Sequence, residues 1–196
     1  MENIEYDFIP FLELFGEIDS KLSSGKIIVA IEGGSASGKT TLGKLLEEIY
    51  GCTVFHMDDY FLQPHQRTPD RFMEIGGNID WERFLLEVLQ PLKNGEIIRM
   101  RKFDCSSMTL KEVEEIIPTN LVIVEGAYSM HPNLANYYDL TVFLDIPKHL
   151  QEERIKKRNS PQMFTRFVNE WIPLEEMYFE KTDIKNRCNM IISIFK

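Results

Sequence analysis

Residues 33–41 read Gly-Gly-Ser-Ala-Ser-Gly-Lys-Thr-Thr, and Gly33, Gly38, Lys39 and Thr40 stand at the spacing G-x-x-x-x-G-K-[ST]. Glycines let consecutive backbone N–H groups close around phosphate oxygens, and a helix starting behind them adds its partial positive charge. Lys39 is placed to neutralise the outer phosphates of a nucleoside triphosphate, and the Thr40 hydroxyl to ligate Mg²⁺. The phosphate cradle is therefore expected over Gly33, Gly34, Ser35, Ala36, Ser37, Gly38, Lys39, Thr40 and Thr41, with ATP and Mg²⁺ as cofactors. The competing explanation is an ordinary Gly/Ser turn before a helix, and it leaves the agreement of all four residues unaccounted for.

Three further groups carry chemistry. Asp58 and Asp59 directly follow an apolar run, where a carboxylate can accept the proton of an attacking hydroxyl or hold Mg²⁺ through water. Asp also favours turns and caps, which is the plainer alternative. Asp58 is the candidate base and metal neighbour, and Tyr60 beside it is a candidate for substrate contact. Glu125 ends the apolar run Leu121-Val-Ile-Val124 and is a candidate for the metal shell; a surface strand end is the alternative. Arg154, Arg158 and Arg166 straddle a break in a charged helix, suiting a lid at about 154–168 that closes over phosphates and excludes water. Arg158 is the catalytic candidate, Arg154 and Arg166 substrate-binding candidates; a solvated helix face is the alternative. Arg67 and Arg71 either bind an anionic group or brace their loop against Asp70 and Glu74. The four histidines show no metal-ligand spacing, and Trp171 and Tyr178 read as core packing.

These groups need elements to position them. Lys26-Ile-Ile-Val-Ala-Ile31 reads as a buried parallel strand, and Thr41 to Ile49 has apolar residues at helical spacing, so strand, glycine loop and helix come in the required order. Further strands are expected at 53–56, 96–103, 121–124, 140–144 and 189–194. Helices are expected from Phe8 to Lys21, over 81–92 with Asp80 as N-cap, over 148–157, and from Phe164 to Phe179 around Pro173. The Pro-, Arg- and Gly-rich stretch at about 60–80 reads as a long substrate loop. Alternating strands and helices predict one α/β domain over 1–196, a three-layer, doubly wound, mainly parallel sheet. Ligands of such sheets sit at the carboxyl ends of the strands, where the glycine loop, Asp58-Asp59 and Glu125 all fall.

The bulk numbers narrow the setting. A chain of 196 residues is long enough for one sizeable core. Its net charge of −9 argues against broad nucleic-acid or anionic-membrane binding. The acidic N-terminus lacks a signal-peptide pattern, no run reaches transmembrane length, and the three cysteines show no C-x-x-C spacing. Reduced, buried thiols in a cytoplasmic protein are expected, with room for a homo-oligomer.

Gly33 to Thr41, His56-Met-Asp-Asp-Tyr-Phe61, Asn78-Ile-Asp80-Trp-Glu-Arg-Phe84, Val124-Glu-Gly126 and the arginines at 154 and 158 together resemble the uridine kinase and phosphoribulokinase-like P-loop kinases, a group that includes nicotinamide riboside kinase. The resemblance implies the P-loop nucleoside triphosphate hydrolase fold and transfer of the ATP γ-phosphoryl group to a primary hydroxyl of a nucleoside or ribose-like acceptor. It also implies Asp58 as catalytic base, Asp80 as a ligand of ribose hydroxyls, and Arg154 and Arg158 as the start of the lid. The chain departs from it where uridine kinases show Tyr-Asp-Phe and Ser-His in a base-reading hairpin. Here the stretch is Phe103-Asp-Cys-Ser-Ser-Met108. Pantothenate or a sugar phosphate is thus an alternative acceptor. A non-catalytic nucleotide-binding regulator is the alternative from another class, although no Asn-Lys-x-Asp guanine motif occurs.

Overall fold

A computed structural model describes residues 9–195. The acidic segment 1–7 and Phe8, on which the leader reading and the start of the first helix rest, lie outside the described residues. The first helix, α1, is Leu12–Leu22. Ile27–Gly33 forms β1, buried along its whole length, because helices cover both faces of the strand. Lys39–Tyr50 (α2) and Thr53–His56 (β2) follow as expected.

Leu121–Glu125 (β7), Leu140–Asp145 (β8) and Met190–Ser193 (β9) complete a five-stranded sheet in the order β2-β7-β1-β8-β9, with every pairing parallel. The period of two along β1 sorts its side chains. Ile27, Val29 and Ile31 pack with Leu14 and Ile18 of α1 and Leu42, Leu45 and Leu46 of α2. Ile28 and Ala30 face the opposite core, with Phe84, Val88 and Tyr178. This is the predicted three-layer, doubly wound architecture.

Three stretches differ from expectation. The loop after β2 contains a short helix, Pro69–Met73 (α3), capped by the Thr68 hydroxyl. The strand expected over 96–103 is instead two short strands, Ile98–Met100 (β3) and Phe103–Asp104 (β4). They pair antiparallel with Glu114–Ile116 (β6) and Thr109–Leu110 (β5), so this hairpin stands outside the main sheet. Both long late helices contain a wide turn before a proline. Trp81–Phe84 and Gln90–Asn94 are joined by a π turn at Leu85–Leu89 just ahead of Pro91, and 81–94 is one helix, α4. After Lys148–Arg158 (α5), Pro161–Arg166 and Ile172–Thr182 are joined by a π turn at Phe167–Trp171 ahead of Pro173, forming α6 over 161–182. Proline lacks the N–H and its ring clashes one turn back; a local i→i+5 turn relieves both. A short helix, Ile184–Arg187 (α7), leads into β9.

Candidate active site

Backbone geometry at the end of β1 makes the phosphate loop. Gly33 has φ +147°, and a Cβ there would lie 2.6 Å from the Leu144 carbonyl oxygen of β8. Only glycine lets the loop leave the sheet so close to its neighbour. Gly38, at φ +104°, precedes α2, whose first turn has no side-chain cap. Its leading N–H groups are the ones an anion would satisfy. Lys39 is buried and folds back over the loop, its Nζ donating to the carbonyls of Gly33 at 2.8 Å and Gly34 at 2.9 Å. Ser37 Oγ is buried with no hydrogen-bond partner among the described residues. An orphaned hydroxyl inside the cradle fits a ligand rich in acceptors.

Strand register brings the acids to the loop. The β2–β7 ladder pairs His56 with Glu125, and the β1–β7 ladder pairs Ile31 with Glu125. Glu125 Oε1 accepts from Thr40 Oγ1 at 3.0 Å and lies 2.5 Å from His56 Nδ1. That bond pushes the His56 imidazole above its usual pKa, against the effect of burial. Asp58 follows β2 in the 3₁₀ turn Met57–Tyr60. Its carboxylate is accessible from the cavity but crowded by protein, and this desolvation raises its pKa while Lys39 opposes the rise. Gly126, at φ +142°, lets β7 end against that turn; a Cβ there would come within 2.6 Å of Met57 Cβ.

Loop, acids and lid surround one cavity of about 1190 Å³, which Ser35 to Thr41, Asp58, Glu125, Arg154, Arg158 and Arg166 all line. Arg154 Nη1 donates to the Ala36 carbonyl at 3.0 Å. Arg158 lies over the Phe167 ring at 5.6 Å, and Arg166 over Trp171 at 4.9 Å while pairing with Glu170 at 3.3 Å. Thr40, Asp58 and Glu125 offer hard oxygen donors suited to Mg²⁺, which takes one or two carboxylates and completes its shell with phosphate and water.

Two expected substrate residues are placed elsewhere. Tyr60 is fully buried, edge-on to Phe84 at 4.9 Å with the Arg83 guanidinium 4.1 Å from its ring, and does not line the cavity. Asp80 is buried too: Oδ1 caps α4 by accepting from the Arg83 N–H at 3.1 Å, and Oδ2 pairs with Arg83 Nε at 3.3 Å. The cap expectation holds. Asp80 does not itself line the cavity, whereas its neighbours Asn78 and Ile79 do. Arg71 braces the loop, through Glu74 at 3.0 Å and Glu82 at 2.7 Å. Trp171 lines the cavity rather than the core, and Cys105 is exposed where a buried thiol was expected.

Four further polar groups meet at the site without a motif in the sequence to mark them. Glu175 Oε2 accepts from the Ser35 N–H at 2.8 Å and Oε1 from its hydroxyl at 2.5 Å, while Gln151 Nε2 donates to the Ser35 carbonyl at 2.9 Å. Glu32, fully buried, accepts from the amides of Gly33, Tyr128 and Met130 and from the Tyr178 hydroxyl. Burial raises its carboxyl to about 7 against the Met130 and Gly33 amides, the Lys39 charge and the Tyr178 hydroxyl. The signal for Glu32 was one acid inside an apolar strand. The spacing of the histidines gives no signal for His56, whose partner Glu125 is 69 positions away.

Residues 28–159, about two thirds of the chain, match the phosphoribulokinase / uridine kinase family. The chain belongs to that family. Among relatives, a uridine kinase of Chlamydia pneumoniae is 28% identical over 178 residues, covering 80% of this chain and 77% of that protein. A uridine kinase of Staphylococcus aureus (strain JH9) is 24% identical over 180 residues, covering 84% and 86%. A solved structure described as a possible uridine kinase from Bacillus stearothermophilus superposes with a TM-score of 0.66 at 21% identity, over 92% of this chain and all of that one, and shows the common fold. The protein is a phosphotransferase of the P-loop small-molecule kinase type.

Proposed function

We propose that this kinase transfers the γ-phosphoryl group of ATP to a primary hydroxyl of a nucleoside or ribose-like acceptor in the cytoplasm. One observation carries the reading: the cradle of Lys39 and Thr40, the free carboxylate of Asp58 and the lid arginines face the same cavity.

Asp58 accepts the hydroxyl proton as the acceptor oxygen attacks phosphorus and the bond to the β–γ bridging oxygen breaks, releasing ADP. A carboxyl whose pKa is raised above the ordinary range is the stronger base while still ionised. Lys39 leaves the carbonyls it now holds to meet the outer phosphates, and Arg158 and Arg166 meet the charge that spreads over the transferred group. Thr40 and Glu125, with Asp58, are the residues that would hold Mg²⁺, which neutralises phosphate charge when bound.

A second reading keeps the reaction and changes the acceptor. Cys105 and Met108 line the cavity where a pyrimidine edge would need hydrogen bonds. A pocket without those groups loses selectivity for such an edge. The test is ADP release from MgATP with a panel of nucleosides, sugars and acids that carry a primary hydroxyl. Release with one acceptor class supports transfer. Tight MgATP binding with no release for any acceptor points to a regulator instead.

A further inference from the structure

Building on that kinase reading, the geometry points to an acceptor that carries a carboxylate or phosphate group, with Arg67 as the residue that recognises it.

The acceptor side of the cavity is walled mainly by Phe61, Leu62, Phe72, Ile79, Cys105 and Met108, with Asn78 and Tyr128 as neutral polar residues among them. Neither of those two carries a charge that would balance an anion. Arg67 is the cation on this side, at the mouth of the cavity. Its Nε donates to the Leu62 carbonyl at 2.9 Å, and its guanidinium carbon lies 5.7 Å from the centre of the Phe103 ring. The first contact fixes one edge of the guanidinium and the second supports its face. Neither uses the two terminal nitrogens, the pair that grips a carboxylate or phosphate in the bidentate manner.

The neighbouring arginines are all spent on protein acids. Arg71 holds Glu74 and Glu82, Arg83 holds Asp80 and Glu87, Arg99 holds Glu115, and Arg101 holds Glu87. Arg67 makes no ion pair among the described residues, in a chain with 31 acidic against 22 basic side chains. A preset guanidinium kept clear of acids, above a mainly apolar wall and in the same cavity as the candidate base, is arranged for an anion from outside. Such an acceptor would place its hydroxyl at Asp58 and its charge at Arg67.

The experiment compares matched alcohols that differ in charge, using full-length protein and MgATP: glycerate against glycerol, pantothenate against its neutral alcohol, and a sugar phosphate against the free sugar. The expected result is that kcat/KM for the charged member of at least one pair exceeds that of the neutral member by at least about tenfold. This is the scale of one charged hydrogen bond with an allowance for solvent at the mouth. The carboxylate and phosphate arms show which anion is preferred. In Arg67→Gln the charged-to-neutral ratio should fall toward one, and Arg67→Lys should retain part of it; MgATP binding by each variant reports that the fold is intact. If the best acceptor is neutral, or if Arg67→Gln leaves the ratio unchanged, the anion assignment is overturned while ADP release keeps the kinase reading. If no acceptor elicits ADP release, both readings fall.

Discussion

Asp58 gains its chemical interest from what it lacks. The other acids around the phosphate loop are engaged: Glu125 by Thr40 and His56, Glu175 by Ser35, Glu32 by three amides and a tyrosine. No hydrogen bond to the Asp58 carboxylate is seen among the described residues, although Lys39 opposes the rise in its pKa. Replacing it with asparagine keeps shape and polarity and removes the base. Asp58→Asn is expected to lower kcat by about 10²–10⁴ while ATP binding, followed by titration, is retained. Parental turnover in this variant would remove Asp58 from the role of base.

The lid is tied at both of its ends to a single turn of the phosphate loop. Gln151 and Arg154 of α5 hold the carbonyls of Ser35 and Ala36, and Glu175 of α6 holds the amide and hydroxyl of Ser35. Between these anchors lie Arg158, Arg166 and the π turn at Phe167–Trp171. Lid and cradle therefore share hydrogen bonds before any substrate arrives. Glu175→Ala leaves the Ser35 amide without its partner and should destabilise the fold by about 1–3 kcal/mol in denaturant unfolding. Glu175→Gln keeps an acceptor oxygen and should lose less. Equal losses for the two variants would show that packing, not the hydrogen bond, is what Glu175 supplies.

At the scale of the whole molecule, His131 links stability to pH. It is buried in the connection after β7, stacked on Trp81 at 5.0 Å, and its Nδ1 accepts from the Asn133 N–H at 3.3 Å. Burial lowers its pKa from 6.5 to about 4. The unfolded chain thus binds a proton over a range where the folded protein does not, so stability from this site is present above pH 6.5 and is lost as pH falls toward 4. Between about pH 7.5 and about pH 4.5 the wild type should lose about 2–3 kcal/mol through this group. His131→Asn, which can keep the acceptor for Asn133, should lose that much less over the same interval. An identical pH slope in the variant would exclude His131 as the source.

The amino-acid sequence by itself determined the phosphate loop, the parallel sheet and the place of Asp58. Each depends on neighbours a few residues apart: glycine freedom and a following helix at 33–41, apolar β-branched runs in the strands, and an acid at a strand end. Only the tertiary structure decided which polar groups face the cavity. Tyr60 and Asp80 sit in the motif that suggested substrate contact, yet the first fills the core and the second caps its own helix. Glu175 and His56 reach the site from 140 and 69 positions away from their partners. Arg67 and Arg71 are four residues apart with the same side chain, and the packing gave acids to one and withheld them from the other. Backbone preference is a local property that a string of residues carries; the partner of a buried charge is set by chain closure, after distant elements have packed.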